Sequence, residues 1–267
     1  AGAGASHRPP PPRSTARAAA TGFTVCGTPM PFVEVELAPR ESAVAVAGAL
    51  ICKDAAIEMR SGFGDDCGQH ARPFGSPAGA GPRVVSGEEV SIAVFTHAGT
   101  GEARLAFAAP CPGTIVPVEL SEIGGRLICH RDAFLAAIGG VAIGDEVAPA
   151  TPSGSDSGFM PTLAGDGWVF LHGGGTLLAR QLAAGETLDV NVRCLAAFTA
   201  GMRQDVSVAG TDPALAMLTG PGHVWLQSLP FSRSSARLSA TRPRRGGADG
   251  DGSILGRASG IGGGRIW

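Results

Sequence analysis

Asp65, Asp66, Cys67 and His70 form the densest group of potential metal ligands in the chain, inside the run SGFGDDCGQHARPFGSPAGAGP. A thiol and an imidazole three positions apart supply part of a zinc shell, but no second C-x-x-C or H-x-x-H pair completes it. The cluster therefore reads as a solvated loop, and no metal is expected. The six histidines are dispersed, without the two close histidines and nearby glutamate that a β-barrel metalloenzyme of the cupin type needs. No G-x-S-x-G elbow, phosphate-binding G-x-x-x-x-G-K or dinucleotide G-x-G-x-x-G is present. No catalytic residue, cofactor-binding residue or cofactor is assigned, and the chain is expected not to be an enzyme. Cys26, Cys52, Cys67, Cys111, Cys129 and Cys194 are scattered. An even count could pair in an oxidising compartment, but Cys52, Cys129 and Cys194 sit in apolar strands and read as buried reduced thiols.

The elements that would position these groups are strands. From Gly167 to Phe198 the apolar run Trp168–Leu171 is broken by Gly173–Gly175, and TLLARQL is broken by Ala184-Gly185. Thr187 to Val192 then alternates, with Leu188, Val190 and Val192 on one side and Asp189 and Asn191 on the other. A period of two between glycine breaks marks half-buried strands joined by tight turns. Gly165, Gly167, Gly173, Gly174, Gly185, Gly220 and Gly222 are the expected turn glycines, with a type II turn at Gly220-Pro221-Gly222.

The pattern repeats. Leu37-Ala38-Pro39-Arg40-Glu41-Ser42 leads to Ala49-Leu50-Ile51, as Leu182-Ala183-Ala184-Gly185-Glu186-Thr187 leads to Cys194-Leu195-Ala196. A looser middle copy runs from Val118-Glu119-Leu120 to Ala133-Phe134-Leu135. A second hairpin sets Leu163–Leu171 against Leu218–Leu226, and Phe95–Gly101 opens its degenerate first copy. Three copies of a unit of about 55 to 85 residues, each near the lower limit for an independent core, are expected to bury their apolar faces on one another and melt as one.

Composition agrees: 41 glycines and 20 prolines punctuate many short strands, and 44% hydrophobic content can fill a sizeable core. The net charge of -2, with Lys53 the only lysine, gives no basic stripe for nucleic acid. Residues 1–28 are Arg-rich and acid-poor, which reads as a disordered leader: a mitochondrial or plastid transit peptide, or an ordinary alanine-rich tail. Residues 233–267 read as a disordered low-complexity tail. Between them lies one body, 29–232, divided at about 29–112, 113–172 and 173–232, with irregular crossing loops at 61–87 and 149–158. Its longest apolar stretches fall short of the roughly 18 residues of a membrane helix. Trp168 and Trp225, in the matching hairpins, could stack bases, but the alternating apolar residues around them favour core closure.

Phe32–Pro39, Pro112–Leu120, Leu127–Leu135 and Leu218–Pro230 together resemble the successive motifs of the mitochondrial-biogenesis family named after altered inheritance of mitochondria protein 24. The resemblance covers about 31–233. It implies an all-β fold of three tandem antiparallel β-sandwich repeats, similar to the tryptophan RNA-binding attenuation protein, around a pseudo-threefold axis. It also implies a mitochondrial setting tied to inner-membrane organisation in fungi. The chain departs from the family in the first crossing loop, where Asp65–His70 replaces a glycine- and leucine-rich segment.

The expected function is non-enzymatic binding or scaffolding, supporting organelle membrane organisation, with a protein partner and peripheral membrane association as the modes of action. A single-stranded RNA or other nucleic-acid binder is the first alternative, and a β-barrel metalloenzyme the second. A transit peptide places the protein in mitochondrion or plastid; otherwise it is cytoplasmic.

Overall fold

Twenty short strands follow one another without an α-helix among the described residues, as alternating apolar patterns broken by glycine dictate. The structure is a computed structural model that describes residues 16–17, 22–62, 92–144, 162–207 and 215–230. The Asp65, Asp66, Cys67 and His70 cluster lies outside the described residues, as do the loop at 149–158 and the tail at 233–267.

A lead of two strands, β1 (Ala16–Arg17) and β2 (Phe23–Cys26), is followed by three stretches of six. The first holds β3 (Phe32–Leu37), β4 (Ser42–Val46), β5 (Leu50–Lys53), β6 (Ile57–Gly62), β7 (Ile92–His97) and β8 (Ala103–Ala108). The second holds β9 (Gly113–Glu119), β10 (Arg126–Cys129), β11 (Phe134–Ile138), β12 (Ala142–Gly144), β13 (Thr162–Ala164) and β14 (Trp168–Gly174). The third holds β15 (Leu177–Leu182), β16 (Thr187–Asn191), β17 (Leu195–Thr199), β18 (Arg203–Ser207), β19 (Leu215–Thr219) and β20 (Gly222–Gln227).

Pairing is antiparallel throughout and recurs. In each stretch the last strand pairs with the first and with the third (β3·β8·β5, β9·β14·β11, β15·β20·β17). The fifth pairs with the second and with the fourth (β4·β7·β6, β10·β13·β12, β16·β19·β18). Each third strand carries a bulge against its last strand, at Leu50/Cys52, Phe134/Ala136 and Leu195/Ala197. The turns that repeat in sequence also repeat in geometry: Ala38 N donates to Glu41 Oε2 at 2.8 Å, and Ala183 N to Glu186 Oε2 at 2.9 Å.

Two ladders run between stretches, β4·β11 and β10·β17. They fuse half-sheets into two six-stranded sheets, β6-β7-β4-β11-β14-β9 and β12-β13-β10-β17-β20-β15. The outer sheets are β1-β2-β3-β8-β5 and β16-β19-β18. The first core takes Val33, Leu105 and Phe107 from one outer sheet and Ala43, Phe95, Leu135 and Phe170 from the next. The second and third cores follow in the same way, centred on Leu127, Leu163 and Leu171 and on Val190, Phe198 and Leu218. Among the described residues β16 pairs only with β19 and β5 only with β8.

Several expectations are corrected. The body begins inside the supposed leader, because β2 pairs with β3 through Phe23↔Val35 to Cys26↔Phe32. Gly173 and Gly174 do not form a turn but end β14; a Cβ on Gly173 would run into Leu177 and one on Gly174 into the Leu229 carbonyl. Gly175, with φ 69°, makes that turn. Gly165 and Gly167 do lie in the β13–β14 turn, and Gly185 accompanies Gly220 through a 3.2 Å bond from Gly185 N to Gly220 O. Gly222 opens β20 with φ 158°, far from the roughly +80° that the third residue of a type II turn adopts, so the turn is not type II. Glycine is needed at 222 for space, since a Cβ would meet Thr199 Oγ1 and lie 2.6 Å from Met202 Cγ. Gly222→Val is expected to lower stability by about 1–3 kcal/mol through overpacking, read as a lower urea midpoint at unchanged slope. An unchanged midpoint would mean the site relaxes freely.

Of the cysteines expected to be buried, only Cys129 is; Cys52 is exposed and Cys194 half-buried. Cys52 follows the apolar Leu50-Ile51, but it lies on β5, which among the described residues pairs only with β8.

Candidate functional site

The densest group of chemistry-bearing side chains in the described structure belongs to the second stretch, around Cys111, Cys129, His130, Arg131, Asp132 and His172. Two features of the backbone bring it together. The β9·β14 ladder sets Gly113 beside Gly174 and so carries Cys111 to His172. Gly113 permits that approach, because a Cβ there would lie 2.7 Å from His172 Nε2 and strike the Gly173 carbonyl. The second feature is a 3₁₀ turn, Arg131–Ala133, that follows β10. His130 caps it, with Nδ1 accepting from Asp132 N at 3.3 Å. Asn191 does the same in the third stretch, Oδ1 accepting from Arg193 N at 3.0 Å, which is the side chain better suited to an N-terminal cap.

The bonds fix what these groups can do. His172 is buried, and its Nε2 donates to the Cys111 carbonyl at 3.1 Å. That nitrogen is therefore not free to take a proton from Cys111 Sγ, 4.0 Å away. Burial, and secondarily the Asp132 carboxylate, pushes both the Cys111 and Cys129 thiols up, so they stay protonated. Cys26 is also pushed up by burial, with Glu34 adding to it. Thiolate chemistry needs the opposite environment. Cys129 donates to the His130 carbonyl at 3.2 Å. Among the described residues no group of three or more His, Cys, Asp or Glu converges as a metal shell. The cluster works as a set of caps and buried bonds.

Burial lowers the pKa of His172, although the bond to Cys111 opposes the shift. Burial also lowers that of His130, with Asp132 opposing and Arg131 reinforcing. Both imidazoles thus hold protons less tightly folded than unfolded, and the unfolded chain takes up protons first as pH falls. Stability is full above the ordinary value of 6.5 and declines as pH drops through it. The urea midpoint is expected to fall from about pH 7.5 to about pH 5.5, and His172→Gln is expected to flatten that slope. Glutamine is the natural choice because Gln227 holds the matching place in β20, donating to Arg193 O and accepting from Gly174 N. A slope unaltered by the substitution would assign the acid sensitivity elsewhere.

Cys111, His130 and His172 lie far apart in the sequence, and no local spacing announces their meeting. His97, buried at the end of β7 with neither ring nitrogen bonded among the described residues, also carried no signal. Trp168 and Trp225 close cores as their patterns imply. Trp225 lies in the second core, and Trp168 packs on the first, 4.9 Å from the Phe23 ring.

With the geometry in place, comparison with known proteins is decisive on kinship. The sequence profile of the family described as "Mitochondrial biogenesis AIM24" matches residues 23–229. The chain belongs to this family. The match begins at Phe23, the first residue of β2. A crystal structure of a Streptococcus pyogenes protein is similar at TM-score 0.62 and 21% identity, covering 82% of this chain and 98% of that one. At that identity the likeness shows the fold alone. No curated protein matches the chain. The family relates the chain to mitochondrial biogenesis, and among the described residues no helix is long and apolar enough to cross a membrane.

Proposed function

We propose that this AIM24-family chain is a non-enzymatic scaffold. It is built from three tandem β-sandwich repeats, similar to the attenuation-protein unit, and binds a protein partner in support of organelle membrane organisation. The observation that carries the reading is the recurrence of one six-strand pairing scheme three times, with sheets shared across both internal junctions. Shared sheets make a stiff body with long faces, which suits the holding of partners. In the Cys111, Cys129, His130 and His172 cluster the side chains are engaged in caps and buried bonds with their ionisation suppressed, which favours binding over catalysis. Family membership supports a mitochondrial setting, and the Arg-rich leader would serve as the transit signal.

A cross-linking pull-down from the native compartment tests this, and a discrete protein partner recovered from mitochondria is expected. Retention of single-stranded RNA with a steep salt slope would overturn the reading in favour of nucleic-acid binding. A stoichiometric metal in the purified body would overturn it in favour of an enzyme.

A further inference from the structure

The first strands of the three stretches, β3, β9 and β15, hold equivalent places, and their outer edges are finished in three different ways. The bulges fix the equivalence. Phe107, Leu171 and Leu226 open them on the last strands, and across the ladder they face Val33, Val116 and Leu178. Glu34, Pro117 and Ala179 stand at the next place, and Val35, Val118 and Arg180 after them.

On β3 the outer edge is covered by β2, in a ladder from Phe23↔Val35 to Cys26↔Phe32. On β9, which pairs only with β14 among the described residues, the edge is open but blocked. Pro117 sits in mid-strand, yet the ladder to β14 runs from Gly113 to Glu119 without a shift. That is possible because the proline nitrogen, which carries no hydrogen, faces the outer side. On β15 the same place is Ala179, which restores the donor. By alternation Leu177, Ala179 and Gln181 turn their N–H and C=O groups outward, and among the described residues β15 pairs only with β20.

The side chains beside that edge agree. Val33 and Val35 are 0% exposed, with Val25 and Phe23 of β2 opposite them and packed in the first core. Their counterpart Leu178 is 54% exposed, and the Arg180 side chain 45%. No strand of the described residues lies beside these two as β2 lies beside β3. The ion pair from Arg180 to Glu186 is long, at 3.8 Å, and both side chains are exposed.

We propose that the outer edge of β15 receives the protein partner, an extended segment of which adds as a seventh strand to the sheet β12-β13-β10-β17-β20-β15. Strand addition draws affinity from main-chain hydrogen bonds and specificity from alternate side chains. The β2·β3 ladder supplies the pattern: an antiparallel segment with a β-branched apolar residue opposite Leu178, as Val25 stands opposite Val33. Opposite Arg180 an acidic residue completes a cross-strand charge pair. The same arginine disfavours a second copy as the occupant, because a charge within an edge strand discourages pairing with its own kind. This inference rests on the scaffold reading and names the segment through which the partner docks.

The synthetic peptide Gly-Ser-Val-Thr-Glu-Thr-Val-Thr-Ser-Gly, which sets Glu opposite Arg180 and Val opposite Leu178, is the probe. Fluorescence anisotropy with the full chain is expected to show saturable binding, and hydrogen exchange to slow at the Ala179 and Gln181 amides. Ala179→Pro, which copies β9, is expected to keep the urea midpoint and to weaken binding about tenfold or more, since losing one or two ladder bonds suffices. Arg180→Glu is expected to weaken it similarly, and a peptide with Lys in place of Glu to restore it. Absence of binding, binding that survives Ala179→Pro, or an exchange of charges that restores nothing would each overturn the proposal. Protection of the Ala179 and Gln181 amides in the free chain would overturn it too. Release of that protection on removing residues 231–267 would assign the edge to the chain's own end, and release on dilution to a second copy. A discrete protein partner captured equally by the wild-type and Ala179→Pro chains would overturn docking at β15 and leave the scaffold reading intact.

Discussion

Phe23→Ala is expected to cost about 3–5 kcal/mol of folding free energy, the range for truncating a large buried aromatic. Phe23 is buried, and its ring centroid lies 4.9 Å from that of Trp168 and 4.9 Å from that of Phe170. The Phe170 contact is edge-on at 79°, an arrangement favoured by the ring quadrupoles. Phe23 comes from the lead strand β2, whereas both partners belong to β14 of the second stretch. One side chain thereby ties the start of the body to the next stretch across the first core. Removing it leaves a cavity against the Trp168 and Phe170 rings, whose strand β14 is held by ladders to β9 and β11. A chain begun at residue 29 loses the whole strand and should lose at least as much. Chemical denaturation of the full chain, the Phe23→Ala variant and the shortened chain measures both effects. A shortened chain with an unchanged midpoint would mean that β2 adds nothing.

That strand was illegible in sequence for a physical reason. Phe23-Thr24-Val25-Cys26 is too short to establish a period of its own, and its evidence is the ladder to Val35 and Phe32 on the far side of a turn. The repeated turns were legible because their cause is local: a glutamate three residues after alanine reaches back to that residue's own N–H. Glycine shows both sides of the same rule. Gly185, with φ 77°, answers a turn that a short window reveals. Gly174 answers the Leu229 carbonyl, more than fifty positions away, which no window sees. The candidate site is likewise a long-range product, since His172 reaches Cys111 only through the β9·β14 register. Burial of cysteine failed as an expectation at Cys52 because strand composition says nothing about whether an edge is paired.

Val190→Asp is expected to unfold the whole body and not merely its last third. Val190 is 4% exposed in the third core, against Phe198, Leu218 and Val224. A carboxylate there would lie among the apolar side chains of that core, and burying an unpaired charge costs several kcal/mol, comparable to the stability of an ordinary domain. The third stretch therefore opens. Its loss strips the second core of Ala196, Ala197 and Trp225, and strips β10 of its partner β17. The second stretch, so exposed, supplies Leu135, Ala136 and Phe170 to the first core, and failure passes along the row. The sharing of side chains between cores makes the stretches interdependent. Hydrogen exchange on the variant decides the matter, with protection expected to vanish together from β3 and β16. If Val33 and Val35 stayed protected while Leu188 and Val190→Asp exchanged freely, the stretches would behave as weakly coupled repeats, each adding its own increment of stability.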